Sequence, residues 1–394
     1  MRNFLRRIID NGPTREGLYY LSVFGFVLGG AMLREINLLL LFAGLLAAPL
    51  VANGLLAKRA LRKITVRRGS PEMLAAGDEL TVALVVEPRG SRVTPQWLSV
   101  RDTLLRESPG ERPEPIVANV DVPVKSAAVA ARATYRGRLA RRGRYRFGPL
   151  KVATTYPFGL IRRTLAVEQP GTVLVCPRLG RLSYRWAKWQ QETWRGGQRT
   201  QGRQGAEGEF FGLRDWRPGD NRRSVHWRTT ARRGNLIVRQ FEQQNARDLV
   251  LLLDLWQPPS AKGAEREAVE RAVSFAATAL EDVCRRGGCR LVLGIAGREV
   301  QVLRGTASQR LWQEALELLA LCEATSADRV EELRSRLPVA GRGSAGTLFV
   351  TTRSSLAGNN PLLESYSRIR GENREQRLVV GSAEFDDLFS FDAT

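Results

Sequence analysis

Two apolar runs near the N-terminus, Gly17 to Leu33 and Ile36 to Ala57, contain no charged residue. A helix that is apolar on every face needs either a protein core or lipid around it, so these runs constrain the chain more than any other feature. At about 1.5 Å rise per residue they extend roughly 25 and 33 Å, against a hydrocarbon core of about 30 Å. Basic residues flank the pair on both outer sides: Arg2, Arg6, Arg7 and Arg15 before it, and Lys58, Arg59, Arg62, Lys63, Arg67 and Arg68 after it. Lys and Arg accumulate on the cytoplasmic side of inner-membrane proteins, which predicts a transmembrane hairpin with only the Arg34-Glu35 tip outside. Arg34 can snorkel to lengthen the short first span, and Tyr19 and Tyr20 fall where an interfacial aromatic belt forms. A cleaved leader fits less well, because Asp10 and Glu16 interrupt the basic region and a second apolar run follows at once. The expected location is the inner (cytoplasmic) membrane, multi-pass, with both termini and all soluble parts cytoplasmic.

The rest of the 394 residues has room for more than one core, and 43% hydrophobic content excludes a disordered chain. Cys176, Cys284, Cys289 and Cys322 form no C-x-x-C pair and no His-containing zinc spacing, which agrees with free thiols in a reducing compartment. The net charge of +21 points to anionic surfaces, and lipid headgroups beside the basic juxtamembrane segment are the nearest. Only Lys58, Lys63, Lys125, Lys151, Lys188 and Lys262 among the 61 basic residues are lysine, so the Arg excess also fits a bias in coding composition.

After the basic N-terminus (1–16) and the hairpin (17–57), residues 58–176 read as short strands separated by Gly and Pro. Leu80, Val82, Leu84 and Val86 alternate ahead of Pro88-Arg89-Gly90, and Arg141-Arg142-Gly143 precedes Tyr145 and Phe147. This spacing without amphipathic helices predicts an all-β, sandwich-like domain. Residues 177–208, rich in Arg, Gln, Gly and Trp, lack periodicity and read as an exposed loop. From 247 to 394 the rhythm changes. Apolar strands at 248–253, 290–295, 300–303, 347–351 and 377–380 alternate with helical stretches at 265–284 and about 308–322, the pattern of an α/β domain with a mostly parallel sheet. No Walker A or G-x-G-x-x-G sequence follows a strand, so a nucleotide cofactor has no support.

The segment 209–246 is the densest in information. Pro218-Gly219-Asp220 is a turn by its chemistry, and the residues that punctuate the stretch are Arg214, Trp216, Pro218, Gly219, Asp220, Val225, His226, Trp227, Ala231, Arg232, Leu236, Val238, Phe241 and Glu242. In this order they resemble the hallmark of the bacterial domain of unknown function 58 family. Arg141 to Tyr145 and Pro157-Phe158-Gly159 match further elements of that family, so the resemblance covers most of the chain. It implies two membrane helices, a β-rich segment and a Rossmann-like C-terminal domain similar to von Willebrand factor type A domains. It also implies a non-enzymatic scaffold or adaptor working beside a MoxR-type AAA+ ATPase in assembling or activating other proteins. One departure stands out. Type A domains hold a divalent ion with Asp-x-Ser-x-Ser, whereas this chain has Asp254-Leu255-Trp256-Gln257-Pro258, which removes both hydroxyls. Metal binding is therefore not expected, and Asp254 reads as capping its own turn through backbone N–H groups.

His226 is the only histidine, with Asp220 the nearest acid in sequence, so a general base is one reading. The other is a structural His packed under Trp227. Residues 195–239 carry eleven arginines (195, 199, 203, 214, 217, 222, 223, 228, 232, 233, 239) against Glu207, Glu209, Asp215 and Asp220, with Trp186, Trp189, Trp194, Trp216 and Trp227 nearby. Such a surface suits contact with an acidic partner loop or acidic lipid first, internal ion pairs second and single-stranded nucleic acid third. The expectation is thus an adaptor whose hallmark surface makes the contact, with no catalytic residue and no cofactor. The alternatives are a metal-dependent hydrolase using Asp254, Asp220 and His226, and a basic nucleic-acid-binding membrane protein.

Overall fold

The computed structural model describes residues 11–34, 37–88, 95–108, 115–124, 129–199, 209–218, 220–242, 247–337, 346–353 and 375–391. Arg2, Arg6, Arg7, Glu35, Arg89, Gly90, residues 200–208, Gly219 and the side chains of Phe241 and Glu242 lie outside this description. The chain divides into two compact units, Met1–Cys176 and Pro177–Thr394.

In the first unit the two apolar runs are helices, α1 (Arg15–Arg34) and α2 (Asn37–Arg62). Both are long and apolar enough to cross a membrane, and only 11% of each apolar window is buried, unlike a core hairpin of a soluble protein. Small residues let the two helices approach closely: Ala31 and Ala43 are buried between them, and a Cβ on Gly30 would lie 3.6 Å from Leu39. The Tyr20 hydroxyl donates to the Leu46 carbonyl (3.0 Å), three residues before Pro49, and so links the two helices.

The remaining elements of this unit are strands. A short β1 (Gly12–Pro13), β2 (Ile64–Gly69), β3 (Met73–Ala75), β4 (Glu79–Pro88), β5 (Trp97–Arg106), β6 (Ile116–Pro123), β7 (Ala131–Arg138), β8 (Gly143–Phe147), β9 (Leu150–Thr154), β10 (Ile161–Val167) and β11 (Thr172–Cys176) form two sheets. One runs β1-β10-β9-β5-β8-β11-β3 with β6 on the other side of β5; the second is β2-β4-β7. Alternating apolar residues of both sheets, including Val66, Val82, Leu84, Leu98, Val100, Val152 and Val173, share one buried core. A buried ion pair spans the sheets. Arg68 of β2 donates to Asp102 of β5 from Nε (2.9 Å) and Nη2 (2.7 Å), while the Tyr135 hydroxyl (2.7 Å) and the Thr103 N–H (2.8 Å) fill the remaining carboxylate positions. Arg68 also donates to the Gln169 and Gly148 carbonyls and stacks over Phe147, so the pair is fully hydrogen-bonded.

The loop between β9 and β10 grips the bases of both helices. Asn53 of α2 is wholly buried. Its Nδ2 donates to the Tyr156 carbonyl (2.8 Å), with longer bonds to those of Thr155 and Ile161, and its Oδ1 accepts from Leu160 (2.8 Å) and Ile161 (3.2 Å) N–H groups. The Thr14 hydroxyl donates to the Gly159 carbonyl and accepts from the Gly17 N–H as the cap of α1. Gly17 has no room for a side chain, since a Cβ would lie 1.9 Å from the Leu160 carbonyl oxygen. The run ending at Ala57 is therefore not lipid-facing throughout: Asn53, Ala57 and Ala60 turn toward the β-domain while Val51 and Leu55 stay exposed.

The second unit opens with a short strand β12 (Arg181–Leu182) and a ribbon of β13 (Glu209–Asp215) and β14 (Ile237–Glu242), and holds a five-stranded sheet of order β17-β16-β15-β18-β19, built from β15 (Arg247–Asp254), β16 (Cys289–Ala296), β17 (Val300–Thr306), β18 (Gly346–Thr351) and β19 (Glu375–Val379). β15 lies parallel to β16 and β18, β18 parallel to β19, and β17 antiparallel to β16. Leu333 of the helix Val330–Arg336 packs with Val250, Leu252, Val300 and Phe349, and a Cβ on Gly294 would come within 2.9 Å of it. The helix Gly263–Arg286 buries Phe275 and Leu280 along with small residues, and the helix Gln309–Leu321 packs against it. All four cysteines are buried free thiols.

One sequence expectation fails here. Within 177–208, read as an exposed loop, residues Tyr184–Arg199 form a helix. The missing signal was tertiary. Trp186 is buried, its indole N–H donates to Asp282 (3.0 Å), and its ring packs against Phe275 and Trp189 within an aromatic cluster that includes Phe385 and Phe389. The rest of that segment is too polar to show helical periodicity by hydrophobicity alone.

Candidate functional site

The hallmark residues build a small self-contained unit. β13 (Glu209–Asp215) and β14 (Ile237–Glu242) pair as an antiparallel ribbon with a register shift between Phe210 and Gly212. The chain between them turns at Pro218, passes a 3-10 turn at Arg222–Ser224 and forms a short helix, Trp227–Arg233. Arg214 and Asp220 close the turn with a bidentate pair at 2.7 and 2.8 Å, and the Arg217 N–H adds a bond of 2.9 Å to the same carboxylate. That backbone bond outweighs the opposing effect of burial and, together with Arg214's hydrogen bonds and charge, holds the Asp220 carboxyl below its ordinary pKa. The carboxylate is 3% exposed, covered by its own turn and by Arg214 rather than by a deep core.

His226 is the N-cap of the short helix. Its Nδ1 lies 2.7 Å from the Thr229 hydroxyl and accepts from the Thr229 N–H, while the His226 backbone N–H donates to the Ile237 carbonyl. Gly234 ends the helix in the left-handed conformation with φ 74°, and the Thr230 hydroxyl accepts from the Ile237 N–H. His226 and Asp220 thus have separate partners, and the ring is oriented by Thr229 rather than by an acid. Val225, Ile237 and Val238 are buried beneath the unit. What remains outside is aromatic, aliphatic and cationic. Trp227 is 65% exposed and Trp216 36%, Leu213 and Leu236 are open, and Arg217, Arg222, Arg223, Arg228, Arg232 and Arg233 are exposed beside Pro218 and Ala231.

The third acid of the hydrolase alternative is elsewhere in the fold. Asp254 ends the central strand β15, aligned with Ala296 and Thr351. Its buried carboxylate accepts from the Thr351 hydroxyl (2.8 Å) and pairs with Arg353 (2.9 Å), which also reaches Asp328 (3.0 Å) and lies over Trp256. Burial pushes the Asp254 pKa up, with Arg353 and Thr351 pulling it back. Side chains, not the backbone N–H groups expected from the sequence, hold this carboxylate. The surroundings do not suit a divalent cation: a guanidinium already lies against the carboxylate, and Leu255, Trp256 and Pro258 supply no oxygen side chain. Among the described residues no cluster of three or more His, Cys, Asp or Glu could hold a metal ion. Arg353, Thr351 and Asp328 were not singled out by the sequence, because 97 residues or more separate Thr351 and Arg353 from Asp254.

Residues 212–335, from within β13 through β17 and most of the helix Val330–Arg336, match the family model described as "Protein of unknown function DUF58". The chain carries a DUF58 segment. A curated relative, the uncharacterized protein YeaD of Bacillus subtilis (strain 168), is 28% identical over 189 residues. That alignment covers 48% of this chain and 45% of YeaD, so the chain spans less than half the length of this relative. Among solved structures, a β-glucosidase from Listeria innocua in complex with gluconolactone has 15% identity and a TM-score of 0.19, covering 27% of this chain and 16% of its own. The CARDB domain of PF1109 from Pyrococcus furiosus has 15% identity and a TM-score of 0.17, covering 27% of this chain and 93% of its own. Neither likeness bears on the DUF58 segment's chemistry.

Proposed function

We propose that this chain is a non-enzymatic, membrane-anchored scaffold that uses its DUF58 hallmark unit to bind an acidic surface of a protein partner. One observation carries the reading. The motif's reactive side chains are consumed internally, Asp220 by Arg214 and His226 by the helix it caps, while Trp227, Trp216 and Leu236 are left exposed among arginines. An aromatic and aliphatic centre ringed by guanidinium groups is the composition of a protein contact patch. The two apolar helices support anchoring, and basic residues after α2 favour a hairpin with the soluble units in the cytoplasm. The α/β unit is read as a von Willebrand factor type A-like domain whose cation position is taken by Arg353, which favours a docking role over metal-dependent adhesion or hydrolysis. A MoxR-type AAA+ ATPase is the proposed partner, on the strength of the family resemblance.

The test is affinity purification of the full chain from detergent-solubilised membranes, comparing wild type with Trp227→Ala and with Leu236→Ala. Both residues are exposed, so both variants should melt like wild type. Loss of an AAA+ ATPase from the eluate of each variant is the expected result. Retention of every partner by both variants would overturn the reading.

A further inference from the structure

A second cationic site lies on the outer face of the larger β-sheet, in the first unit. Ser99, Arg101, Asn119, Lys151, Ala153, Arg162 and Thr164 line a depression of about 250 Å³ across four neighbouring strands. The registers explain why they meet: Arg101 sits opposite both Asn119 of β6 and Lys151 of β9, and Thr164 of β10 opposite Ala153. Strand alternation turns Leu98, Val100 and Val152 of the same strands into the core, so this polar row faces outward. Arg101 is steered by Asn119, whose Oδ1 accepts its Nε–H at 3.0 Å. Among the described residues no carboxylate pairs with Arg101 or Arg162, and Asp121 of β6, exposed and directly opposite Ser99, is the acidic residue on this face of the four strands.

The position of the depression is as telling as its charge. Arg162 pairs in register with Gly12, three residues before α1 begins at Arg15, and the Asn11 side chain accepts from the Thr164 N–H. β10 follows directly from the loop that grips Asn53 and Thr14, so Arg162 marks the end of the sheet nearest the apolar helices. Two large aromatic residues are exposed at that same end: Phe158 in the gripping loop (55%) and Trp97 (62%), which lies on the face of Ser99 and Arg101. Aromatic rings beside cations are the usual furniture of a membrane–water interface.

We infer that this depression binds the phosphodiester headgroup of an anionic membrane lipid. Arg101, Lys151 and Arg162 supply charge to the phosphate oxygens, Ser99 and Thr164 supply hydroxyls, and Trp97 and Phe158 rest in the interfacial layer. The site ties the orientation of the β-domain to the leaflet into which the helices insert, and it rests on the membrane-anchored reading above.

Full-length protein in non-ionic detergent is titrated with dioctanoyl phosphatidylglycerol, dioctanoyl phosphatidylcholine and inorganic phosphate, and adducts are followed by native mass spectrometry. A saturable phosphatidylglycerol adduct is expected, about tenfold or more weaker in Arg101→Gln/Arg162→Gln and intermediate in each single variant. Phosphatidylcholine and inorganic phosphate should bind far more weakly. Arg132→Gln/Arg138→Gln, two exposed charges on β7 of the other sheet, should bind like wild type. Equal binding by the double variant, equal binding of phosphatidylcholine, equal binding of free phosphate, or an equal loss in the β7 control would each overturn the proposal. Vesicle flotation in parallel separates the two readings: a chain that stays out of vesicles yet keeps the specific adduct loses the anchor and keeps the site, whereas one that floats without the adduct loses the site.

Discussion

Replacing Asn53 probes how the apolar hairpin is joined to the β-domain, because this side chain makes five of the hydrogen bonds that tie α2 to the loop at 155–161. In an apolar run an Asn is costly, and here it is wholly buried against the loop at 155–161. Asn53→Ala removes five bonds, of which the two at 2.8 Å, to the Tyr156 carbonyl and from the Leu160 N–H, are the shortest. An abandoned buried backbone group costs about 1–3 kcal/mol, so losing two gives about 4 kcal/mol. If that loosens the loop, protection of the Leu160 and Ile161 amides against hydrogen exchange falls roughly a thousandfold. The N-terminal unit should melt about 8–16 °C lower. The assay is hydrogen exchange read by mass spectrometry on full-length protein in detergent, over peptides covering 155–161. Asn53→Leu provides the decisive comparison, since it favours membrane insertion and makes none of the bonds. Unchanged exchange in Asn53→Leu would refute the reasoning, because the loop would then be held without the Asn53 bonds, by the Thr14 contacts and apolar packing.

Three other outcomes follow from the same kind of accounting. Arg68→Met strands the buried Asp102 carboxylate and should cost about 3–5 kcal/mol in thermal unfolding, while Arg68→Met/Asp102→Leu recovers a large part of the loss. Burial raises Asp254, so its contribution is present below the unfolded carboxyl pKa of about 3.9 and is lost as pH rises through its higher folded value. Burial also opposes Asp328, but Arg353 and the Val330 N–H carry its carboxyl below the ordinary range, so its contribution is present above about 3.9 and lost as pH falls through the folded value. Melting curves between about pH 3 and 7 should therefore show Asp254→Asn gaining on wild type as pH rises and Asp328→Asn losing the acid-side transition; parallel curves would refute both signs. His226→Ala removes an N-cap worth about 1 kcal/mol, which should appear as faster amide exchange in Trp227–Arg233 with the β-sheet core unchanged.

The elements legible in the sequence were those whose signal is local. The uncharged runs, the alternation of Leu80 to Val86 and the continuous apolar strand ending at Asp254 declare themselves because periodicity and burial coincide in each. Pro218-Gly219-Asp220 likewise marks a turn through its own backbone chemistry. What the sequence hid depends on partners far along the chain. Arg68 reads as juxtamembrane charge until Asp102, Tyr135, Gln169 and Gly148 surround it, and Asn53 reads as a stray polar group in a lipid span until the loop at 155–161 closes on it. The helix at Tyr184–Arg199 was lost for the same reason, since its anchor Trp186 is buried by residues about 90 to 200 positions later. Arg101, Lys151 and Arg162 become neighbours only through strand register.

The hallmark unit sets a limit on what its own motif can reveal. Arg214 and Asp220 stand six residues apart because a bidentate pair must close the intervening turn, and His226 precedes Trp227 because the imidazole caps the helix that the Trp begins. Those spacings encode a shape, and a residue whose hydrogen bonds are spent on shape has little left for a substrate. On the proposed scaffold reading, recognition falls to Trp227, Leu236 and the surrounding arginines, which the fold leaves exposed. Side chains free of structural duty can vary among chains that keep the same frame, so the motif identifies the frame while the partner is selected by the residues it displays. A transplant tests this division. Exchanging Trp227, Leu236 and Arg228 for the residues at the matching positions of a relative with a different partner should move the partner preference without moving the melting temperature, whereas exchanging Arg214 and Asp220 for a non-pairing set should do the reverse.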